Sequence, residues 1–389
     1  MKKSTLALAV AAALTGFGSF AYADTTLYGS ARVSIDYNDP DSNNFSKDSP
    51  DASWDIFNDS SRLGVRGEED LGGGLSAIYQ YEFGVDVTEG GTGFNSNRPK
   101  WVGLKGSSWG SITMGTQWTP YYNVIGVGDI FNSSKIFAST GSVGTTSMSA
   151  PSLNTYLGNT YGLRMDNSLI YASPNWSGFG VQAMLVMNGI CAPTDPQTTG
   201  ELCKTSGDNK LYGNLSDGVD MYNISASYKN GPFFAGATYM ALDGPGFKTT
   251  LPSGQTVSTA PAWDGDQWGL AFGYNSGPFA VSLAYENGDL NTVYRGTSQN
   301  YYLTGQYTFG NNIIRASYGY LTPDDGRIYL LTGKDELSWK QGDLNNYAIG
   351  YQYNFSKRTR VWAEYLGASN DGDFYGDVGV LSLGTRVDF

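Results

Sequence analysis

No histidine occurs in the 389 residues of this chain, and that absence removes much of the chemistry a protein of this size can perform. General-base hydrolysis leans on imidazole more than on any other side chain. A paired-carboxylate route needs two acids held close together, and no such pair stands out. Cysteine is limited to Cys191 and Cys203, both in one polar stretch rich in Gly, Pro and Thr. Two cysteines so near each other in an exported chain read as a disulfide closing a small loop, worth about 3 kcal/mol in the chain-entropy view. Metal ligation is the poorer reading, because no imidazole is present to complete a site. Basic residues are few, 24 Lys and Arg against 36 Asp and Glu, for a formal charge of −12. That balance argues against a nucleic-acid partner, since phosphate contacts need clustered Lys and Arg. Long apolar runs are missing as well. Leu6–Leu14 is too short to cross a bilayer as a helix, which takes about 20 residues, and no later segment does better.

What is present begins with Lys2 and Lys3, then that short apolar run, then Ala21-Tyr22-Ala23 before Asp24. The order of charge, apolar stretch and small-residue site predicts a cleaved signal peptide over residues 1–23. The mature chain, 24–389, shows no domain break and no repeat beyond a hairpin period.

From Thr26 the residues alternate. Leu27, Gly29, Ala31, Val33, Ile35 and Tyr37 share one side, and Tyr28, Ser30, Arg32, Ser34 and Asp36 the other. Period-two alternation predicts a strand between two unlike environments. A polar stretch over Asn38–Asp55 follows, then strands over Ser60–Glu68 and Gly74–Val87. Trp101 and Gly103 are expected outward, with Arg98, Lys100 and Val102 inward. Strand pairs continue to a last strand, Val378–Phe389. Seven short turns alternate with eight longer connections, which predicts sixteen strands with both termini on the short-turn side. Even strand numbers, short turns on one side and long loops on the other describe a transmembrane β-barrel. A soluble sandwich with one wet face explains a single strand equally well. It does not explain aromatics near the strand ends on the apolar side, such as Phe83, Tyr171, Phe279 and Tyr365. Arginine on the lipid side near the midplane costs about 2–4 kcal/mol, so Arg32, Arg62, Arg98, Arg164, Arg315 and Arg360 are expected inward, in a wet lumen.

Thr119–Leu163 is long, weakly charged and rich in Gly, Ser and Thr, with one acid, Asp129, and one base, Lys135. A connection of that length is normally functional or disordered. In a closed barrel it has a third place, folded inward, where it narrows the lumen. Its neutral groups Asn132, Ser133, Ser134 and Asn154 can replace charge with hydrogen-bonding capacity. The acidic loops, with Asp39, Asp41, Asp48 and Asp51, then Asp324 and Asp325, then Asp371, Asp373 and Asp377, read first as solvated charge. Their alternative is divalent-cation bridging to lipid phosphates, or cation attraction at the mouth.

The stretch Ser60-Ser61-Arg62-Leu63-Gly64-Val65-Arg66-Gly67-Glu68-Glu69-Asp70-Leu71-Gly72, followed by Gly74-Leu75, resembles the general trimeric porins of Gram-negative outer membranes. Leu27-Tyr28-Gly29, Val102–Gly106, Met114-Gly115-Thr116 and the terminal Phe389 support it. The resemblance implies a homotrimeric sixteen-stranded antiparallel barrel in outer-membrane lipid and lipopolysaccharide, passing small hydrophilic solutes and ions by diffusion. It implies that the third extracellular loop faces a wall of arginines. Those wall positions match Arg62, Arg98 and Arg164, with Arg32, Arg66 and Lys100 nearby, and the acidic loop side matches Asp129. Phe389 matches the aromatic read by the barrel-assembly machinery. No enzyme activity and no cofactor is expected. A substrate-selective channel of the same type, or less so a surface adhesin, is the alternative.

Overall fold

A strand that separates hydrocarbon from water must alternate, and β1 (Asp24–Pro40) does so. Leu27 and Ile35 stand exposed on its outer face, while Ser30, Ser34 and Asp36 are buried on the inner one. The computed structural model describes residues 24–40, 52–89, 94–95, 98–134, 164–187, 219–242, 247–250, 256–259, 265–288, 297–324, 326–329, 336–339, 342–371 and 377–389.

β2 has two pieces, Ser53–Asn58 and Arg62–Gly72, both paired with β1. β3 (Leu75–Val85) is followed by β4, again in two pieces, Phe94–Asn95 and Lys100–Gly106, both paired with β3. β5 (Gly110–Trp118) leads into helix α1 (Pro120–Ile125) and a 3-10 turn, Gly126–Gly128. Next come β6 (Arg164–Ala172), β7 (Phe179–Val186), β8 (Met221–Asn230) and β9 (Phe233–Leu242). β10 (Gly265–Ser276), β11 (Phe279–Gly288), β12 (Ser298–Phe309) and β13 (Asn312–Pro323) follow. β14 (Leu344–Asn354), β15 (Thr359–Asn370) and β16 (Val378–Asp388) complete the chain. Every neighbouring pair is antiparallel, and β16 returns to β1, from Ser30 opposite Asp388 to Pro40 opposite Val378. The result is a closed barrel of sixteen strands, as the spacing of turns and loops predicted. Closure leaves no strand edge to lipid, where an unpaired backbone group costs several kcal/mol. Two small hairpins, Phe247–Thr250 with Thr256–Thr259 and Gly326–Tyr329 with Glu336–Trp339, form separate sheets in two of the long connections.

The tight turns draw on glycine where φ is positive. Gly231, Gly277 and Gly310, at φ of 55°, 57° and 56°, open the turns after β8, β10 and β12, a conformation that costs glycine nothing.

Two local expectations are corrected. The stretch expected to be a polar loop to Asp55 contains Ser53–Asn58, whose Trp54 and Ile56 stand outward and which continues the pairing with β1. In β4 the faces are reversed. Trp101 lies opposite Gln80 on the lumen side, whereas Val102 lies opposite Tyr79 and is exposed outward. Lys100, opposite Tyr81, shares that outer face. Pro99 precedes this piece and has no N–H for the ladder, so the alternation cannot be carried across it from Arg98.

The inner wall is not polar throughout. Met165, Met184, Met221 and Met240 are fully buried there, under Tyr121, Val124 and Ile125 of the central loop. Burying each such side chain contributes about 1.5–3 kcal/mol. Thr119 caps α1, its hydroxyl accepting the Tyr122 N–H at 3.0 Å, and Pro120 occupies the first helical position, where its missing donor is not needed.

At the barrel seam Gly29 exchanges backbone bonds with Phe389, N to O at 3.0 Å and 3.1 Å. A Cβ at Gly29 meets the Phe389 ring. Gly29→Val is expected to destabilise the barrel by about 1–3 kcal/mol through overpacking, measured as a lower urea midpoint for the refolded protein in detergent. An unchanged midpoint means the ring is not seated on that glycine.

Candidate functional site

The arginines gather on one side of the lumen because the register puts them there. Arg386 of β16 stands directly opposite Arg32 of β1 on one flank and Arg360 of β15 on the other. Like charges directly opposite destabilise a sheet. Asp388 offsets this by accepting from Arg360 Nη2 at 2.7 Å and from Arg386 Nε at 2.6 Å. Arg32 Nε donates to Ser30 Oγ at 3.1 Å. Arg62 continues the arc on β2, opposite Ser30 and Gly84. Arg98 is buried. Its Nη1 lies 3.4 Å from Glu82 Oε1 and its Nη2 donates to the Ser60 carbonyl at 3.1 Å. Tyr28 donates to the other Glu82 oxygen at 3.0 Å, and Arg66 lies over the Tyr28 ring at 5.3 Å. Arg62 and Arg98 both act electrostatically on Arg32 and on Arg164.

The central loop supplies the opposite side. Arg164 sits 4.4 Å over Trp118, Trp118 stacks on Tyr122 at 4.5 Å, and the Tyr122 hydroxyl donates to Asp129 Oδ2 at 2.9 Å. Desolvation inside the barrel pushes the Asp129 carboxyl up, to about 6, against the lowering effects of Tyr122, Arg32 and Arg62. The side chain is open to the lumen, and water there softens the penalty.

Two buried carboxylates hold the loop to the wall. Glu286 of β11 accepts the Tyr121 hydroxyl at 2.7 Å and the Asn300 amide at 2.8 Å. Glu364 of β15 accepts the Asn132 and Ser133 backbone N–H groups, the Asn132 side chain and Arg315 Nη1, all within 3.2 Å. Ser134 then donates twice to Asp59 Oδ1 at the break in β2. Residues 119–134 therefore run across the inside of the barrel.

The structure thus brings together Arg32, Arg62, Arg98, Arg164 and Asp129, with Arg66 beside them. Lys100 lies on the outer face by register, its Nζ 4.9 Å from the Phe83 ring centroid and 3.2 Å from the Arg98 carbonyl, close enough for Arg98 and Arg164 to act on it electrostatically. Asn132, Ser133 and Ser134 anchor the loop rather than line the passage. Sequence reasoning missed Arg386, Asp388, Glu286 and Glu364; the inward phase of Arg386 was available, but its neighbours were not. Lys135, Asn154, Cys191, Cys203 and the signal peptide lie outside the described residues. Among the described residues no three His, Cys, Asp or Glu side chains converge as metal ligands would.

A sequence model of the family described as Gram-negative porin matches residues 7–373. The chain belongs to the Gram-negative porin family. As such it is an outer-membrane porin, a channel for passive diffusion. This porin is similar to an outer membrane porin protein of Bordetella pertussis, 29% identical over 396 residues, with 93% of each chain covered. It is also similar to major outer membrane protein P.IB of Neisseria gonorrhoeae, 28% identical over 369 residues, covering 92% of this chain and 91% of the relative. Among solved structures, an anion-selective porin from Comamonas acidovorans has a TM-score of 0.64 at 19% identity, covering 95% of this chain and 100% of that one. The trimer form of OmpT from Vibrio cholerae has a TM-score of 0.59 at 16% identity, covering 94% and 99%. At those identities the likeness speaks for the fold.

Two outcomes follow for the porin. Asp388→Asn removes the counter-charge of two wall arginines and is expected to raise the anion-to-cation permeability ratio roughly twofold at moderate salt, read from reversal potentials. Asp129 loses its charge as pH falls through its pKa, so anion preference is expected to rise between pH 7 and 5. In Asp129→Asn that dependence is expected to vanish; a wild-type ratio that stays flat across the range contradicts it.

Proposed function

We propose that this porin passes small hydrophilic solutes by size through an eyelet between the arginine wall and Asp129, and that it favours anions. The observation that carries the reading is the row Arg360, Arg386, Arg32, continued by Arg62, facing the single acid of the described loop. Glu82 is taken up by Arg98, Glu364 by Arg315, and Asp388 by two arginines. Positive charge is left in excess along that wall. Guanidinium stays charged despite repulsion, because its proton is held far above neutral pH. A field across a narrow aqueous passage orients water and dipolar solutes. Apolar solutes gain nothing from the field and are held back, because wall groups must compensate desolvation. Conduction of this kind needs no bond-making residue, so the porin acts as a channel and not as an enzyme.

The same proposal includes a homotrimer in outer-membrane lipid and lipopolysaccharide, supported by the trimeric form among its structural relatives. It also gives Phe389, at the barrel seam, to recognition by the assembly machinery.

Neutralising Arg62, Arg98 and Arg164 together with Gln is expected to shift the reversal potential in asymmetric KCl towards cations. An unmoved potential removes these three as selectivity determinants. Liposome swelling with a graded sugar series tests the pore itself: rates fall with solute size for a diffusion porin and saturate with concentration for a substrate-selective one.

A further inference from the structure

On the short-turn side of the loop the lumen wall holds a recess of 370 Å³. Its apolar surface comes from Val127 and Ile130 of the loop, Phe234 of β9 and Ala280 of β11. Gly273 stands opposite Phe234 in the register and contributes no side chain, which keeps the floor open. The roof is fixed, because Ser282 Oγ donates to the Val127 carbonyl at 3.3 Å. One edge is polar, through Gln306, whose Oε1 accepts from Arg315 Nε at 3.1 Å. At the other edge Lys229 lies opposite Phe234 and is exposed. Among the described residues no carboxylate pairs with it.

This chemistry differs from that of the eyelet. The eyelet offers guanidinium groups and a carboxylate to a fully hydrated solute. The recess offers aliphatic and aromatic surface with an ammonium at the rim, within the size range of small-molecule sites. A solute that gains from both halves carries a compact apolar body and one anionic head. An inorganic anion gains only from Lys229, and a neutral apolar solute only from the walls.

We propose that the recess is a transient binding site for small aromatic carboxylates in passage, with the ring against Val127, Ile130 and Phe234 and the carboxylate at Lys229. The proposal rests on the chain conducting as a porin, and it assigns a class of solute that the eyelet alone does not single out.

Benzoate, acetate and benzyl alcohol are the probes, each added on both sides of the full-length porin during single-channel recording in planar bilayers. Benzoate is expected to interrupt the KCl current with a midpoint about tenfold below that of acetate, a difference one modest apolar contact supplies. Benzyl alcohol, matched in ring but uncharged, is expected to have a midpoint well above that of benzoate. Lys229→Gln and, separately, Ile130→Ser are each expected to raise the benzoate midpoint severalfold when interruptions are normalised to that variant's own KCl current. Equal midpoints for benzoate and acetate overturn the proposal. So does a benzoate midpoint unmoved in both variants, which marks partition into the bilayer instead. Failure to conduct KCl at all tells against the channel reading and is thereby distinguishable from failure of the recess.

Discussion

Hydrocarbon offers no partner to a peptide N–H or C=O, so a chain that crosses a membrane as strands has to bring its last strand back to its first. In this protein that return is the pairing of β16 with β1. Everything else inherits its geometry from that seam. The register that satisfies the backbone also decides which residues become neighbours around the circumference. It makes Arg32, Arg386 and Arg360 face one another although they come from opposite ends of the chain. A one-residue slip would turn every side chain to the other face, so electrostatics of the lumen and solubility in lipid are set by the same choice.

Enclosure gives the barrel an interior with two functions. Part of the inner wall is a dry core, where four methionines pack under Tyr121, Val124 and Ile125. Methionine suits an irregular seam between a helix and a curved sheet, being unbranched and polarisable. Around that patch the loop is held by charge-assisted bonds to carboxylates that burial alone would penalise by several kcal/mol. Glu364 accepts two backbone amides, one side-chain amide and a guanidinium, and that density of donors makes its place in the wall tolerable. Apolar packing near α1 and polar anchoring near Asn132 thus fix the loop at separated points, with Asp129 between them.

Strand number, closure and most face assignments were legible, because alternation and connection length are properties of the chain itself. The arginines Arg32, Arg62 and Arg98 declared their side for the same reason, since lipid would not tolerate them. Three things were not legible. Alternation lost its phase at Pro99, which misplaced Trp101, Val102 and Lys100. The methionine patch was hidden because an apolar residue facing a dry interior looks the same in sequence as one facing lipid. The partners of Glu286, Glu364 and Arg386 depend on contacts between segments far apart in the chain, which period-two patterning does not encode. Asp129 was picked out as the one acid of its loop, but its chain of neighbours through Tyr122 and Trp118 to Arg164 had no signature in spacing.

Asp388 belongs to the seam and to the arginine wall at once. Arg386, Asp388 and Phe389 help zip the cylinder shut against β1, and Asp388 also answers the charge of Arg360 and Arg386. Loss of those residues forfeits the final rungs of the ladder together with the counter-charge of two wall arginines.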